Sequence, residues 1–236
     1  MTPDSSSGSG SPSASDPDAR PVPNAPTVLE REGNSSRIFL LRHGETEWSR
    51  SGQHTSVTDL PLTERGEQQA RAVARVLGDH SFGLVLSSPR RRAMDTARLA
   101  GFGDRVAAEE NLVEWDYGAY EGLTTREIVA RVGKPWVLWR DGAEPGETPG
   151  ETSEQVHRRM RAVLDRCEPV LDGGQDVLLV AHGHSLRALA AVWLGLPAAH
   201  GGIFSLATGT VSELGFEHGR PAIVRWNCPA GDDTGR

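Results

Sequence analysis

Between residues 37 and 226 the chain alternates short unbroken apolar runs with longer stretches whose apolar residues recur every three or four positions. Ile38-Phe39-Leu40-Leu41, Leu84-Val85-Leu86 and Val177-Leu178-Leu179-Val180-Ala181 are runs of the first kind. An apolar run without polar interruption predicts a strand buried on both faces. Val211 to Phe216 and Ala222 to Trp226 predict two later strands, an edge pair. The second kind of stretch predicts helices. Thr63 precedes a helix to Leu77 with Ala70, Val73, Ala74 and Leu77 on one face. Ser88-Pro89 places a cap residue before a proline at the first helical position. Thr124 with Glu127, and Thr152 with Gln155, have capping-box spacing. The second box opens a helix faced by Val156, Met160, Val163, Leu164 and Cys167. Ser185 is expected to cap a last helix, carrying Leu186, Leu189, Ala190, Trp193 and Leu194 and stopped by Gly195.

Strands alternating with helices predict an α/β fold, a three-layer α/β/α sandwich with a mostly parallel central sheet. Residues 37–236 then form one domain of about 200 residues. Residues 1–36 differ in kind. Seven Ser, six Pro and two Gly fall within residues 1–26, too little apolar surface to offset the entropy of ordering, so a disordered, solubilising Ser/Pro-rich tail is expected. The sequence Pro145-Gly146-Glu147-Thr148 repeats at once as Pro149-Gly150-Glu151-Thr152 and is read as an exposed acidic loop.

Composition narrows the partners. Lys and Arg number 25 against 32 Asp and Glu, a net charge of −7, which argues against nucleic acid or an anionic membrane as partner. The longest apolar run, Ala188 to Leu194, is far short of the roughly 20 residues of a membrane helix. No apolar segment follows basic residues near the N-terminus, so no secretory signal is expected. Two cysteines, Cys167 and Cys228, make neither a disulfide framework nor a zinc spacing. A cytoplasmic location follows as the expectation.

The chemistry-bearing residues sit where the buried strands end. The first run delivers Arg42-His43-Gly44-Glu45-Thr46, the second Ser87-Ser88-Pro89-Arg90-Arg91-Arg92, the third His182-Gly183-His184-Ser185. In open α/β sheets, ligands bind beyond the carboxyl ends of the strands. If these strands are parallel neighbours, two arginines and two histidines converge, the donor set that a phosphate dianion needs. Arg90 and Arg91 are expected to face solvent, leaving Arg92. His182 and His184 could instead be metal ligands, but no third and fourth ligand appears at a recognisable spacing. Trp136 and Trp139 fit either a lid or the core, and His54, His80, His157, His200 and His218 are read as ordinary surface or loop residues.

Four ordered motifs carry a resemblance. Leu41-Arg42-His43-Gly44-Glu45-Thr46, Ser87-Ser88-Pro89 with Arg92-Ala93 and Thr96-Ala97, Glu114 with Tyr117-Gly118, and Val180-Ala181-His182-Gly183 resemble the motif set of the histidine phosphatase superfamily, phosphoglycerate mutase-like branch. The resemblance implies a phosphoglycerate mutase-like fold and His43 as a nucleophile that becomes phosphohistidine. It implies Arg42, Arg92 and His182 on the phosphoryl oxygens and Glu114 as proton donor. Ser49, Thr55, Gly183, His184 and Arg140 are the further candidates for substrate contact. No metal or organic cofactor is implied. The chemistry is consistent: a neutral imidazole attacks phosphorus without first losing a proton. Cationic donors balance a loose transition state, and a leaving alkoxide needs an acid, whose carboxyl burial would raise.

Flanking residues bear on the reaction. The mutases' Trp-Asn after the nucleophile, their Glu-Arg-His-Tyr-Gly and their arginine pair before a proline run are absent, and those groups hold a phosphoenzyme for its product. Thr46-Glu47-Trp48-Ser49, Ser51-Gly52-Gln53, Thr58-Asp59-Leu60-Pro61-Leu62-Thr63 and Trp139-Arg140-Asp141-Gly142 are instead similar to sedoheptulose-bisphosphatase-like and broad-specificity acid phosphatases. A metal-independent phosphomonoesterase acting on a small phosphorylated metabolite, a sugar phosphate first, is the expectation. Phosphoglycerate mutase-type transfer and a non-catalytic phosphate-binding scaffold are the alternatives. Gly183-His184-Ser185 resembles a serine-esterase elbow, but Arg187 stands where the closing glycine belongs. A second phosphate would want Arg140 and Arg187 at the mouth, whereas Asp116 and Glu121 would disfavour a highly anionic substrate.

Overall fold

A computed structural model describes residues 35–230. Six strands form one sheet: β1 (Ile38–Arg42), β2 (Phe82–Ser87), β3 (Ala107–Ala108), β4 (Asp176–Ala181), β5 (Thr210–Glu217) and β6 (Arg220–Pro229), in the order β3-β2-β4-β1-β5-β6. The pairs β1–β4, β2–β4 and β2–β3 are parallel, while β5 runs antiparallel to both β1 and β6. The fold class is therefore the expected one, with the last two strands as an antiparallel margin. β3 has only two residues and gave no sequence signal.

Alternate residues of the central strands feed two cores, which is why their sequences are apolar throughout. Ile38, Leu40, Leu86, Val177, Leu179 and Ala181 pack on one side with Val156, Met160 and Leu186. Those three belong to α6 (Ser153–Asp172) and α7 (Gly183–Trp193). Phe39, Leu41, Val85, Leu178 and Val180 pack on the other, against α2 (Glu64–Leu77) and α3 (Arg91–Ala97). Three short helices complete the set: α1 (Glu47–Ser51), α4 (Thr125–Val132) and α5 (Leu138–Asp141).

Helix starts follow the caps in part. Thr63 accepts from the Gly66 N–H, and Thr124 and Thr152 form their boxes with Glu127 and Gln155. Two expected caps fail. α3 begins at Arg91 rather than at Pro89, and the Asp59 carboxylate from a distant loop accepts its first N–H, from Arg91, at 2.8 Å. A carboxylate at a helix start also suits the helix dipole. α7 begins at Gly183, so Ser185 lies inside its first turn, not at its cap.

Of the residues assigned to the tail, 1–34 lie outside the described residues. Ser36 is buried, its hydroxyl donating to the Leu171 carbonyl. The tandem repeat is not uniformly exposed. Pro145-Gly146-Glu147 faces solvent, but Glu151 of the second copy pairs with Arg159 Nε at 2.8 Å. Asp116 collects Thr148 and the Gly118 and Gly150 N–H groups. No helix of the described residues is long and apolar enough to cross a membrane.

Candidate active site

Sheet register assembles the site. Arg42 of β1 lies beside Ala181 of β4, and Ser87 of β2 beside Val180. The next residue of each strand therefore emerges at one level: His43, Ser88 and His182. The ladder continues one step beyond the strands, with His43 N–H to Ala181 O and Ser88 N–H to Val180 O, both 2.9 Å. The His43 and His182 rings stand 5.1 Å apart, inclined at 62°.

The turn after β1 depends on two glycines in backbone contact. A Cβ on Gly44 would meet Gly66 O at 2.2 Å, and one on Gly66 would meet Glu45 O at 2.1 Å. This contact lets α2 approach the turn that carries His43. Thr96 of α3 ties the same turn down, accepting from Gly44 N–H at 3.0 Å and donating to Arg92 O at 2.6 Å.

Hydrogen bonds set the state of each imidazole. His43 Nδ1 lies 2.7 Å from Gly44 O, an acceptor only, so Nδ1 carries the proton and Nε2 keeps its lone pair. His182 Nδ1 accepts from Arg92 Nε at 3.1 Å, so its Nε2 carries the proton and donates to Ser88 Oγ at 2.8 Å. Both rings are therefore neutral. Burial first, then the nearby guanidinium of Arg92, holds each well below the ordinary histidine pKa. The His43 ring is at the wall of a cavity of about 240 Å³, and Arg42 and Glu114 are at the same wall. Arg42 gives Nη1 to the Leu206 carbonyl while its buried Nε has no partner among the described residues.

The comparisons with known proteins agree with this geometry. The family described as the histidine phosphatase superfamily (branch 1) matches residues 38–229. An acid phosphatase of Mycobacterium tuberculosis is 40% identical over 186 residues, 78% of this chain and 88% of that one. The sedoheptulose 1,7-bisphosphatase of Saccharomyces cerevisiae is 39% identical over 184 residues, 68% of each. A solved Mycobacterium tuberculosis structure superposes with a TM-score of 0.77 at 38% identity, covering 84% of this chain and all of that one. This chain belongs to the histidine phosphatase superfamily. It is a phosphatase, and its fold is that of the phosphoglycerate mutase-like members.

Within this histidine phosphatase, Ser49, Thr55 and His184 line the cavity with Arg42, His43 and Glu114. Gly183 stands against the Arg42 guanidinium, where a Cβ would come within 3.2 Å of Cζ. Arg92 is placed differently from the expectation. It is fully buried and does not line the cavity; besides His182 it holds Thr58 O at 3.0 Å and Thr55 O and Ser56 O at 3.1 Å. Its guanidinium braces a histidine and a loop. Arg91 is exposed, whereas Arg90 is half-buried, its Nε without a partner among the described residues, and is not the solvated residue expected.

Arg140 does not line the cavity. It is exposed and forms a two-point pair with Asp141, both contacts 2.8 Å, which with the Val137 N–H lowers the Asp141 carboxyl to about 2. Arg187 lies over the Trp139 ring, 4.8 Å from its centroid, and donates to Gly201 O and Gly202 O. Asp116 and Glu121 are occupied too; Glu121 accepts the Ser56 and Thr58 N–H groups and so fixes the loop that Arg92 grips. Trp136 and Trp139 pack into the main core.

Glu114 departs from expectation in its charge. Burial pushes its carboxyl up, but the carboxyl ends well below the usual range, with the His184 side chain foremost among the groups that lower it. Backbone N–H groups of Trp115, His184 and Ser185 reach it at 2.9, 3.0 and 2.8 Å. The last two belong to the first turn of α7, so this carboxylate caps that helix and faces the cavity at once. Ser185, the esterase candidate, is fully buried, and its hydroxyl points to His182 O at 3.4 Å.

Sequence reasoning missed His54 and underused Tyr117. His54 is buried at the cavity wall, 6.0 Å from His184 and nearly parallel to it at 14°. Its Nδ1–H donates to Leu123 O at 2.8 Å. The Tyr117 hydroxyl meets His184 Nδ1 at 2.7 Å. His54 belongs to no motif by spacing; only the loop fold brings it here.

Proposed function

We propose that this phosphatase is a metal-independent phosphomonoesterase that hydrolyses a small phosphorylated metabolite, a sugar phosphate first, through phosphohistidine at His43. One observation carries the reading: a neutral imidazole with its Nε2 lone pair uncommitted, beside an arginine with an unpartnered buried Nε. The phosphate oxygens would be held by Arg42 and by His182 Nε2–H in exchange for Ser88, with Arg92 keeping His182 in the donating tautomer. The similarity to an acid phosphatase and to a sedoheptulose 1,7-bisphosphatase supports the class of substrate.

In the first half-reaction, the His43 Nε2–P bond forms as the ester P–O bond breaks, and the leaving oxygen takes a proton from Glu114. In the second, the Glu114 carboxylate takes a proton from water as its oxygen bonds to phosphorus, and His43 departs as neutral imidazole. Glu114 is ionised beforehand, so its proton must arrive with the substrate. A phosphomonoester monoanion, whose second pKa is about 6, can deliver one, and the phosphate's charge then raises the carboxyl. An acidic optimum follows for alkyl phosphates.

Trapping with radiolabelled substrate and acid-sensitive release of the label from protein tests the reading. His43→Ala should lose both the label and turnover, and saturating EDTA should leave wild-type turnover intact. Label retained in His43→Ala, or turnover abolished by EDTA, would refute it. Glu114→Gln should slow alkyl phosphates by about 10²–10⁴ and aryl phosphates far less.

A further inference from the structure

Apart from Arg42, three arginines that could serve the cavity are held by protein partners. Arg92 holds three carbonyls and His182, Arg140 pairs with Asp141, and Arg187 holds two carbonyls over Trp139. Arg50 and Arg126, next in sequence to the wall residues Ser49 and Thr125, are exposed and do not line the wall, and Arg50 pairs with Glu47. Among the described residues the wall carries one arginine, Arg42, and one carboxylate, Glu114.

Among the described residues the rest of the wall carries no lysine or further arginine and is rich in hydrogen-bonding groups. Ser49, Gln53, Thr55 and Thr125 line one part of it, the stacked His54 and His184 rings another. His54 Nδ1 is committed to Leu123 and His184 Nδ1 to Tyr117, which leaves each Nε2 without a hydrogen-bond partner among the described residues. Burial lowers the His54 pKa and favours its neutral ring. A hydroxyl both donates and accepts, so it can satisfy such atoms. A second phosphate brought into the same space would lose its hydration where no lysine or further arginine lines the wall and would stand near the Glu114 carboxylate, a costly exchange without guanidinium or ammonium donors.

We infer that the enzyme takes monophosphates of neutral polyhydroxylated molecules and disfavours substrates with a second phosphate or a carboxylate, the leaving group lying between the His54–His184 pair and the hydroxyl-and-amide wall. This rests on His43 being the nucleophile. It also sets the expected preference of this chain apart from the bisphosphatase to which it is similar.

The test compares kcat/KM of the full chain for ketose monophosphates of six and seven carbons, the matching bisphosphates, and 3-phosphoglycerate. The monophosphates should lead by at least tenfold. Equal or higher values for a bisphosphate or for 3-phosphoglycerate would overturn the inference. Thr125→Lys, which adds a cation at the wall, should raise the bisphosphate-to-monophosphate ratio at least fivefold, while Thr125→Gln leaves the ratio where it was. A ratio unmoved by lysine would likewise overturn the charge argument. His43→Ala on p-nitrophenyl phosphate separates the two levels. Surviving turnover sinks the nucleophile itself, whereas abolished turnover beside a preferred bisphosphate sinks only the specificity.

Discussion

At the scale of single residues, the site runs on two neutral imidazoles and one ionised carboxyl. His43 and His182 are held neutral well below the usual histidine pKa near 6.5. Protonation of a free histidine would stop attack as pH falls through 6.5. Here kcat/KM for an aryl phosphate should not decline there, once the substrate's own ionisation near 6 is allowed for; a titration at 6.5 would contradict the neutral pair. Glu114 has the opposite linkage. Its folded pKa is depressed, so its charge stabilises the fold above the free carboxyl value of about 4.3 and that contribution is lost as pH drops below it. Glu114→Gln is neutral throughout, and its Tm should fall less steeply than that of wild type between roughly pH 5 and 3. Arg92 acts on structure as much as on charge. Arg92→Ala leaves three carbonyls and His182 Nδ1 without their donor, and should lower unfolding free energy by about 3–5 kcal/mol as well as turnover. Arg92→Lys should rescue neither, because an ammonium lacks the planar fork. Normal stability with lost activity would instead make Arg92 a direct phosphate ligand.

Elements reach the site through close approach and borrowed caps. α2 meets the turn that carries His43 at the Gly44–Gly66 contact, where backbone touches backbone. Gly66→Ala forces a methyl to 2.1 Å from Glu45 O, so the helix or the turn must shift. The expected cost is about 1–3 kcal/mol in urea unfolding, with turnover falling further because His43 moves with the turn. Unchanged turnover would mean that the helix alone yields. α3 and α7 both draw their first-turn partners from other parts of the chain, Asp59 and Glu114. Local cap signals at Ser88 and Ser185 were therefore misleading. Ser88 is needed at His182, and Ser185 N–H at Glu114.

Over the whole molecule, two cores flank one sheet, and the two thiols report on its integrity. Cys167 is fully buried in the larger core, its thiol pushed up to about 12 by burial, while Cys228 is exposed on β6. A thiol reagent should label Cys228 at once and Cys167 only at the rate of opening. Rapid labelling of both would show that α6 opens without global unfolding.

The strand runs, their alternation with helices and the four ordered motifs were legible in the sequence, because burial on two faces demands unbroken apolar runs and strand ends must carry the chemistry. His43, Glu114, His182 and Arg42 could be named from them. Their partners could not. His54 reaches the wall from a loop with no pattern of its own, and Arg140, which looked like an anchor, found a carboxylate one residue away. Whether an arginine contacts substrate, braces a histidine or pairs with a neighbour depends on which acceptor lies within hydrogen-bond distance. That is set by register and loop closure between residues far apart in the chain, and only the folded structure decides it.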